Sequence, residues 1–457
     1  MNDLQYRLDN SAKIWPALLS PRYTTWFRLF AVFTEPVLYE AARGAVSKAF
    51  NDHPYLAVRL KPGLFWYHLA PLKHPVDLQP DNSPPCMTYE GSRKTGPLVR
   101  VYAYRKTLAV EASHMVTDGT GLKVFFTTLL AEYTRLRREL LAAGPEVRES
   151  LVQHCTKPLP IPDPTHHRPE TWEDSYVTHG IVDPPGARHR SMPKPDVPSK
   201  ALHFPLALLP RGQYRISLIR YSAAAIRGRA KQYGISVGEY LESLVMLGFQ
   251  RAAREAEQWP GMLPGRSRLS RPIRFLIPVD LRRLYNSRTM RNFFIGLPVE
   301  IDPRLGDFTL EEIIRRVHHA QRAELDAKYL RKQLARNARS QQSLMLRLVP
   351  LWLKDIVLRM VYRSIGDVRY TGSFSNLGRV SETVPGLAWV GFVPPPSPVN
   401  PINVTAITYG DELCLGFGKM TRVGRIEHQV VRAFAEQGLR GRLMTNFEGS
   451  TLWGGLQ

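Results

Sequence analysis

The side chain in this sequence best suited to chemistry is a histidine that is followed closely by an aspartate and a glycine. The segment reads Ser113-His114-Met115-Val116-Thr117-Asp118-Gly119. An imidazole titrates near neutral pH, so His114 can accept a proton and return it later in a reaction. Asp118 can cap a helix, and Gly119 tolerates the turn that leads into one. Taken alone, the pattern also fits a hydrogen-bonded histidine in an ordinary turn.

The residues around this segment predict how the histidine is positioned. Leu98–Tyr104 and Leu108–Ala112 read as an antiparallel pair, and alternation puts His114 on the same face as Val110. From Thr120 onward, apolar residues recur at three- and four-residue steps, which predicts an amphipathic helix. These are Leu122, Phe125, Phe126, Leu129, Leu130, Tyr133 and Leu136. The sequence therefore predicts a strand, a turn with His114 at the edge of a cleft, and then a helix.

The whole chain reads as two similar halves. It has 457 residues, of which 44% are hydrophobic, enough to fill more than one core. Helix and hairpin signals are mixed without strict strand–helix alternation, which predicts an α+β fold of two lobes, residues 1–157 and 201–457. Prolines crowd residues 158–200 and predict an extended crossover linker. In the second lobe, Ser236 and Glu239 have the spacing of a capping box and predict a helix over Ser236–Arg254, and Ile273–Leu281 is predicted as a strand.

The chain is strongly basic, with a net charge of +22. Nucleic acid, an anionic membrane surface and a phosphorylated co-substrate are all compatible with this charge. No nucleic-acid-binding motif and no glycine-rich nucleotide loop is found, so we expect no nucleic-acid partner. The three cysteines are far apart and the N-terminus lacks a secretory pattern, which favours a cytoplasmic protein. His166-His167 lacks metal-ligand spacing, so no metal site is expected.

One basic segment leaves two interpretations open. Lys328–Arg363 carries nine basic residues and one acidic residue, interleaved with apolar side chains. It could be an amphipathic element at a membrane surface, or a core-packed helix pair whose basic face is solvated. We favour the core-packed arrangement and expect Pro350 to kink or break the helix.

Three motifs together resemble one superfamily. Ser113–Gly119 is similar to the H-H-x-x-x-D-G motif of chloramphenicol acetyltransferase-like proteins, which include condensation domains and alcohol acetyltransferases. Ile277–Arg282 resembles the V-N-L-R strand end of that group, and Ser373–Gly378 resembles the S-N-L-G strand of its alcohol acetyltransferase branch. The order of the motifs covers most of the chain.

The resemblance implies two lobes that form a pseudo-dimer around a central tunnel, with His114, Asp118 and Gly119 as the catalytic motif. His114 is then the general base for direct acyl transfer from a CoA thioester to an alcohol or amine, without a covalent intermediate. Asp118 is expected to pair with Arg282, or else with Arg283 or Arg274. Ser375, Ser373 and Asn376 are expected near the oxyanion or the tunnel.

The sequence departs from the family pattern at Ser113, where the first histidine of the pair is usual. This departure favours the acetyltransferase branches, which often keep only the second histidine. Because no carrier-protein segment is seen, we expect a free acyl-CoA co-substrate, no permanently bound cofactor and a monomer. The alternatives are a catalytically inactive binding or scaffold relative and a condensation-type enzyme with a carrier-bound donor. Peripheral membrane contact and the identity of the acceptor stay open.

Overall fold

The computed structural model describes residues 6–87, 96–157, 159–163, 168–180, 199–259, 270–326, 328, 330, 331, 333–335 and 349–446. The strands are β1 (Tyr6–Arg7), β2 (Trp26–Phe33), β3 (Val58–Pro62), β4 (Tyr67–Pro71), β5 (Leu78–Pro80), β6 (Val99–Tyr104), β7 (Thr107–Ser113), β8 (Arg215–Ser222), β9 (Ile273–Asp280), β10 (Phe294–Ile301), β11 (Gly372–Val380), β12 (Leu387–Val393), β13 (Ile402–Tyr409), β14 (Glu412–Lys419) and β15 (Arg442–Thr445). The helices are α1 (Trp15–Leu18), α2 (Tyr39–Asp52), α3 (Gly119–Ala142), α4 (Pro145–Thr156), α5 (Ser175–Gly180), α6 (Ala223–Gln232), α7 (Val237–Glu255), α8 (Arg282–Tyr285), α9 (Leu310–Glu324), α10 (Leu351–Ile365) and α11 (Arg425–Glu436).

Two large sheets organise these elements. One has the strand order β12-β2-β7-β6-β5, and the other has the order β10-β9-β11-β13-β14-β8-β15. Most neighbours are antiparallel, but β11 runs parallel to both β9 and β13. Helices pack on these sheets around two hydrophobic cores. The α+β fold class predicted from the sequence is therefore confirmed.

The two predicted halves share one sheet. Strand β12 comes from the C-terminal half of the sequence and pairs antiparallel with β2, with Val390 opposite Ala31. Gly391 permits this pairing, because a Cβ atom there would lie 2.1 Å from Cζ of Phe30. The division into residues 1–157, 158–200 and 201–457 stays a prediction. Within the described part of the linker, residues 170–180 are free of proline and include the short helix α5.

The strand–turn–helix arrangement predicted around the histidine is confirmed. Strand β7 lies inside its sheet, between β2 and β6, and all of its residues are buried. It ends at Ser113, and α3 begins at Gly119 with Asp118 as its N-cap. The Asp118 carboxylate accepts a 2.8 Å hydrogen bond from the Gly121 N–H, which satisfies a donor that the helix itself leaves unpaired.

The preferred interpretation of the basic segment is wrong for α10, the described part of that segment. Lys354 is buried and donates to the Phe65 carbonyl at 2.9 Å, while Asp355 accepts from the Tyr67 hydroxyl at 2.8 Å. Charged side chains therefore face the protein where partners satisfy them, and the apolar side chains face solvent. Pro350 stands before the first turn as the N-cap, where proline is tolerated. None of the described helices is long and apolar enough to cross a bilayer.

Candidate active site

His114 lies in the turn between β7 and α3, where its ring is enclosed by aromatic side chains. Its N–H donates to the Thr25 carbonyl at 2.9 Å, which fixes the backbone beside β2. The ring stacks on Phe27 with a centroid separation of 4.4 Å, and Trp15 and Phe294 approach within 5.9 and 6.4 Å. These contacts hold the imidazole in one orientation.

A second contact defines which ring nitrogen can act as a base. His114 Nδ1 lies 3.5 Å from Oδ1 of Asn292, which comes directly before β10 in the other half of the sequence. The amide orientation of Asn292 is set by its Nδ2, which donates to Asp9 Oδ2 at 2.8 Å and to the His114 carbonyl at 2.9 Å. Oδ1 therefore faces Nδ1 as an acceptor, which favours a proton on Nδ1 and a lone pair on Nε2. A backbone hydrogen bond with Thr117 also holds the ring.

The surroundings keep this imidazole neutral. Burial lowers the pKa of His114, and this outweighs the charge of Asp118 and the hydrogen bond to Asn292, both of which raise it. At neutral pH the ring is thus a free base rather than an imidazolium ion. A side chain in that state is suited to receive a proton from a hydroxyl or an amine.

The Asp118 carboxylate is bonded to the largely buried guanidinium of Arg282. Arg282 Nη2 donates to both carboxylate oxygens of Asp118, at 2.9 and 3.0 Å. The same guanidinium donates to Asp280 at 2.7 Å and to the Thr289 carbonyl at 2.7 Å. The structure thus brings together the pair expected from the resemblance. Arg274, one of the two alternatives, is instead paired with Glu300.

Two glycines allow the motif to pack against the other half of the sequence. A Cβ atom on Gly119 would lie 2.6 Å from a methyl carbon of Leu377, and one on Gly121 would lie 2.0 Å from the Met290 carbonyl oxygen. Gly119 was singled out from the sequence, whereas Gly121 was not. The need for glycine at position 121 becomes visible only in the fold, where the loop before β10 crosses the first turn of α3.

The three residues of β11 that the resemblance places near the oxyanion or tunnel, Ser373, Ser375 and Asn376, line the same cavity as His114, which has a volume of about 260 Å³. Ser373 donates to Asn403 Oδ1 at 3.0 Å, and Asn376 accepts from the Gly378 N–H at 2.9 Å. Among the described residues, no hydrogen-bond partner is found for the Ser375 hydroxyl. Ser375 is therefore better placed than Ser373 to bind a group that enters the cavity.

A hydrogen-bonded chain on the cavity wall was not found from the sequence. Tyr23 and Tyr362 meet at 2.8 Å, Tyr362 also bonds to Asp367, and Ser397 donates to Asp367 at 2.8 Å. Burial raises the pKa of Asp367. These residues come from three distant segments with no shared motif. Asn292 and Asp9 are likewise far apart in the sequence. Only the folded chain brings them together.

No group of three or more histidine, cysteine, aspartate or glutamate side chains suited to a metal ion is found in the described part of the chain. The cysteines Cys86, Cys155 and Cys414 are buried and form no disulfide. His166-His167, considered above, lies outside the described residues.

Comparison with known proteins gives a match in structure but not in sequence. No protein-family model and no curated protein matches the chain. TRI101 from F. graminearum, solved with coenzyme A and deoxynivalenol, aligns with a TM-score of 0.59 and 12% identity over 96% of this chain and 99% of that chain. The first condensation domain of the calcium-dependent antibiotic synthetase gives 0.58 and 12% over 100% and 99%.

The chain has the chloramphenicol acetyltransferase-like fold. Polyketide synthase associated protein 5 from Mycobacterium tuberculosis also aligns, with a TM-score of 0.53 and 13% identity over 94% of this chain and 98% of that chain. The fold expected from the resemblance is thus confirmed over nearly the full sequence. At identities of 12 to 13%, the comparison establishes the chloramphenicol acetyltransferase-like fold, and it assigns no branch, no substrate and no residue role.

Proposed function

We propose that this protein is an acyltransferase that moves an acyl group from an acyl-CoA thioester to an alcohol or amine, with His114 as general base. The observation that supports this most directly is the state of His114. It is a neutral imidazole on a cavity wall, with Nδ1 facing the side-chain oxygen of Asn292. The fold agrees, because neighbours of the same fold include TRI3 trichothecene 15-O-acetyltransferase and TRI101, which was solved with coenzyme A.

The proposed reaction is a direct transfer. Nε2 of His114 takes the proton of the acceptor as its oxygen or nitrogen attacks the thioester carbonyl carbon. The tetrahedral oxyanion collapses, the carbon–sulfur bond breaks, and the imidazolium returns the proton to the departing thiolate. Ester or amide and free CoA thiol are the products, and no covalent enzyme intermediate forms. We assign the Ser375 hydroxyl as a hydrogen-bond donor to the oxyanion.

A basic cavity beside the site fits the phosphates of the donor. It is lined by Arg22, Lys200 and Arg271, and no acidic residue is found among its described lining residues. Residues 394–401 separate it from the His114 cavity, because Pro396 and Ser397 line one and Pro398 and Val399 line the other. We assign this cavity to the CoA nucleotide, with the acyl group reaching across toward His114.

The first experiment measures free thiol released from acetyl- through palmitoyl-CoA against a panel of alcohols and amines. The parent should release thiol only when a suitable acceptor is present. His114→Ala should lose roughly 10²- to 10⁴-fold in turnover, the usual contribution of a general base, while unfolding like the parent. His74→Ala, at an exposed loop histidine, is the matched control and should keep full activity. Equal turnover of His114→Ala and parent would show that His114 is not the base.

The second experiment separates a CoA donor from a carrier-bound donor. Arg22→Gln and Arg271→Gln should each raise KM for acyl-CoA roughly tenfold and leave KM for the acceptor unchanged. Neither substitution should affect an acyl-pantetheine donor, which lacks the nucleotide. If acyl-pantetheine and acyl-CoA respond alike, the basic cavity does not bind the donor nucleotide. A parent that turns over no thioester at all would instead favour the inactive binding or scaffold relative.

A further inference from the structure

Helix α10 presents its apolar side to solvent. Two ridges at four-residue spacing share this side, Trp352, Ile356 and Met360 on one and Leu353, Val357 and Val361 on the other. Trp352 is 66% exposed and Ile356 is 46% exposed, and all six side chains are exposed. We call these six residues the α10 face. Soluble helices normally bury such a stripe, so its exposure indicates an interaction surface.

The opposite side of α10 explains why the helix does not turn over. Lys354 lies 3.8 Å from the Trp66 ring centroid and donates to Phe65, and Asp355 accepts from Tyr67. Rotating the α10 face inward would break these bonds and leave the aromatic hairpin without its cation. The exposed orientation is therefore set by specific polar contacts.

The α10 face continues onto the neighbouring hairpin. The Leu351 N–H donates to the Leu64 carbonyl at 3.1 Å, and Leu64, at the tip between β3 and β4, is 75% exposed. Two lysines flank this tip, since Lys61 is in β3 and Lys13 lies 5.6 Å from the Trp66 ring centroid. The combined surface is apolar at its centre and cationic at its rim.

The charges around the α10 face select its partner. Asp355 is the single acidic residue from position 327 to 366 of the sequence, and it is bonded to Tyr67. Arg359 is exposed on the same helix, Lys13 and Lys61 lie at the neighbouring hairpin, and the chain as a whole has a net charge of +22. An apolar face with an exposed tryptophan and a basic surround has the composition of a helix that lies in the interface of an anionic bilayer.

We propose that the α10 face and Leu64 dock this protein onto an anionic membrane surface. The two ridges extend about 12 Å along the helix axis, which is long enough to lie in the headgroup region and too short to span the bilayer. Tyr362, on the other side of α10, lines the His114 cavity. Docking therefore places that cavity wall about one helix diameter, roughly 10 Å, from the lipid. The proposal does not depend on acyl transfer.

The test is co-sedimentation of the full chain with two kinds of vesicle. Phosphatidylcholine vesicles in which about a third of the lipid is phosphatidylglycerol should bind the parent, and pure phosphatidylcholine should bind it at least tenfold more weakly. The double variant Trp352→Gln/Ile356→Gln should bind the anionic vesicles roughly tenfold more weakly than the parent. Leu305→Gln is the matched control, since Leu305 is 74% exposed outside the α10 face, and it should bind like the parent.

Hydrogen exchange gives a readout that needs no variant. Residues 351–365 of the parent should become protected when anionic vesicles are added, and unchanged exchange would overturn the proposal. A parent that fails to bind the vesicles would also overturn the proposal. A dimer that the double variant abolishes would then show that a second copy covers the α10 face, and a monomer would show that the chain covers it itself. His114→Ala should bind vesicles like the parent, so loss of turnover and loss of docking are distinguishable.

Discussion

Asp118→Asn tests whether the ion pair with Arg282 holds in place the turn that carries His114. The carboxylate accepts from Gly121 and Phe293 N–H groups, each at 2.8 Å, and from Arg282 with both oxygens. An amide has one acceptor oxygen, so its NH₂ group must face at least one of these donors. The exposed fractions of the Arg282 and Asp118 side chains are only 10% and 7%, so the lost partners are not replaced by water.

The expected loss is about 3 to 5 kcal/mol of unfolding free energy, the cost of removing one partner from a buried ion pair. Asp280→Asn is the matched control on the same guanidinium. Because Asp280 is 32% exposed, its substitution should cost under about 1 kcal/mol. Denaturant unfolding measures both losses. Thiol release should fall for Asp118→Asn and change less for Asp280→Asn. An Asp118→Asn variant as stable as the parent would refute the reasoning.

Three further predictions concern the same turn. Because burial lowers the pKa of His114 and the base form is needed, kcat/KM should stay level until the pH falls below about 6.5 and then decline; a decline that begins above this value would contradict it. Asn292→Ala should lower kcat with little change in KM. The hydrogen bond from Asn292 raises the pKa of His114, so its loss should lower that pKa and move the acid limb to lower pH; an unmoved limb would leave Asn292 a structural role only. Gly121→Ala should destabilise the protein by about 3 kcal/mol through its clash with Met290, whereas Gly228→Ala, with nothing within 4 Å, should be neutral or stabilising by thermal unfolding.

Local patterns predicted the elements around the site. The apolar spacing after Thr120 predicts α3, and the capping box at Ser236 and Glu239 is present at the start of α7. Hairpin alternation predicts β6 and β7 to within one residue. Each of these signals is contained within a few turns of one helix or one strand pair. Such signals depend on backbone geometry that neighbouring residues set for one another.

The contacts that orient the histidine depend on pairings that no local pattern carries. Strand β2 was not predicted, because its run Trp26–Phe33 is buried on both faces and does not alternate. Its Arg28 is acceptable in a core only because Asp81 and Glu111 meet it at 2.7 and 2.8 Å. The position of Asn292 opposite His114 likewise follows from the register of the whole fold. The orientation of α10 was mispredicted for the same reason, since the partners of Lys354 lie in a distant hairpin.

Nearly every contact that aligns His114 joins distant parts of the sequence. Asn292 is 178 residues from His114, and Arg282 is 164 residues from Asp118. Leu377 closes over Gly119, and β12 completes the sheet that carries β7. The junction between the halves therefore both encloses the cavity and sets the direction of the His114 ring. Because a shift of about 1 Å in a base can lower a rate a hundredfold, loosening this junction should abolish turnover before it unfolds either half.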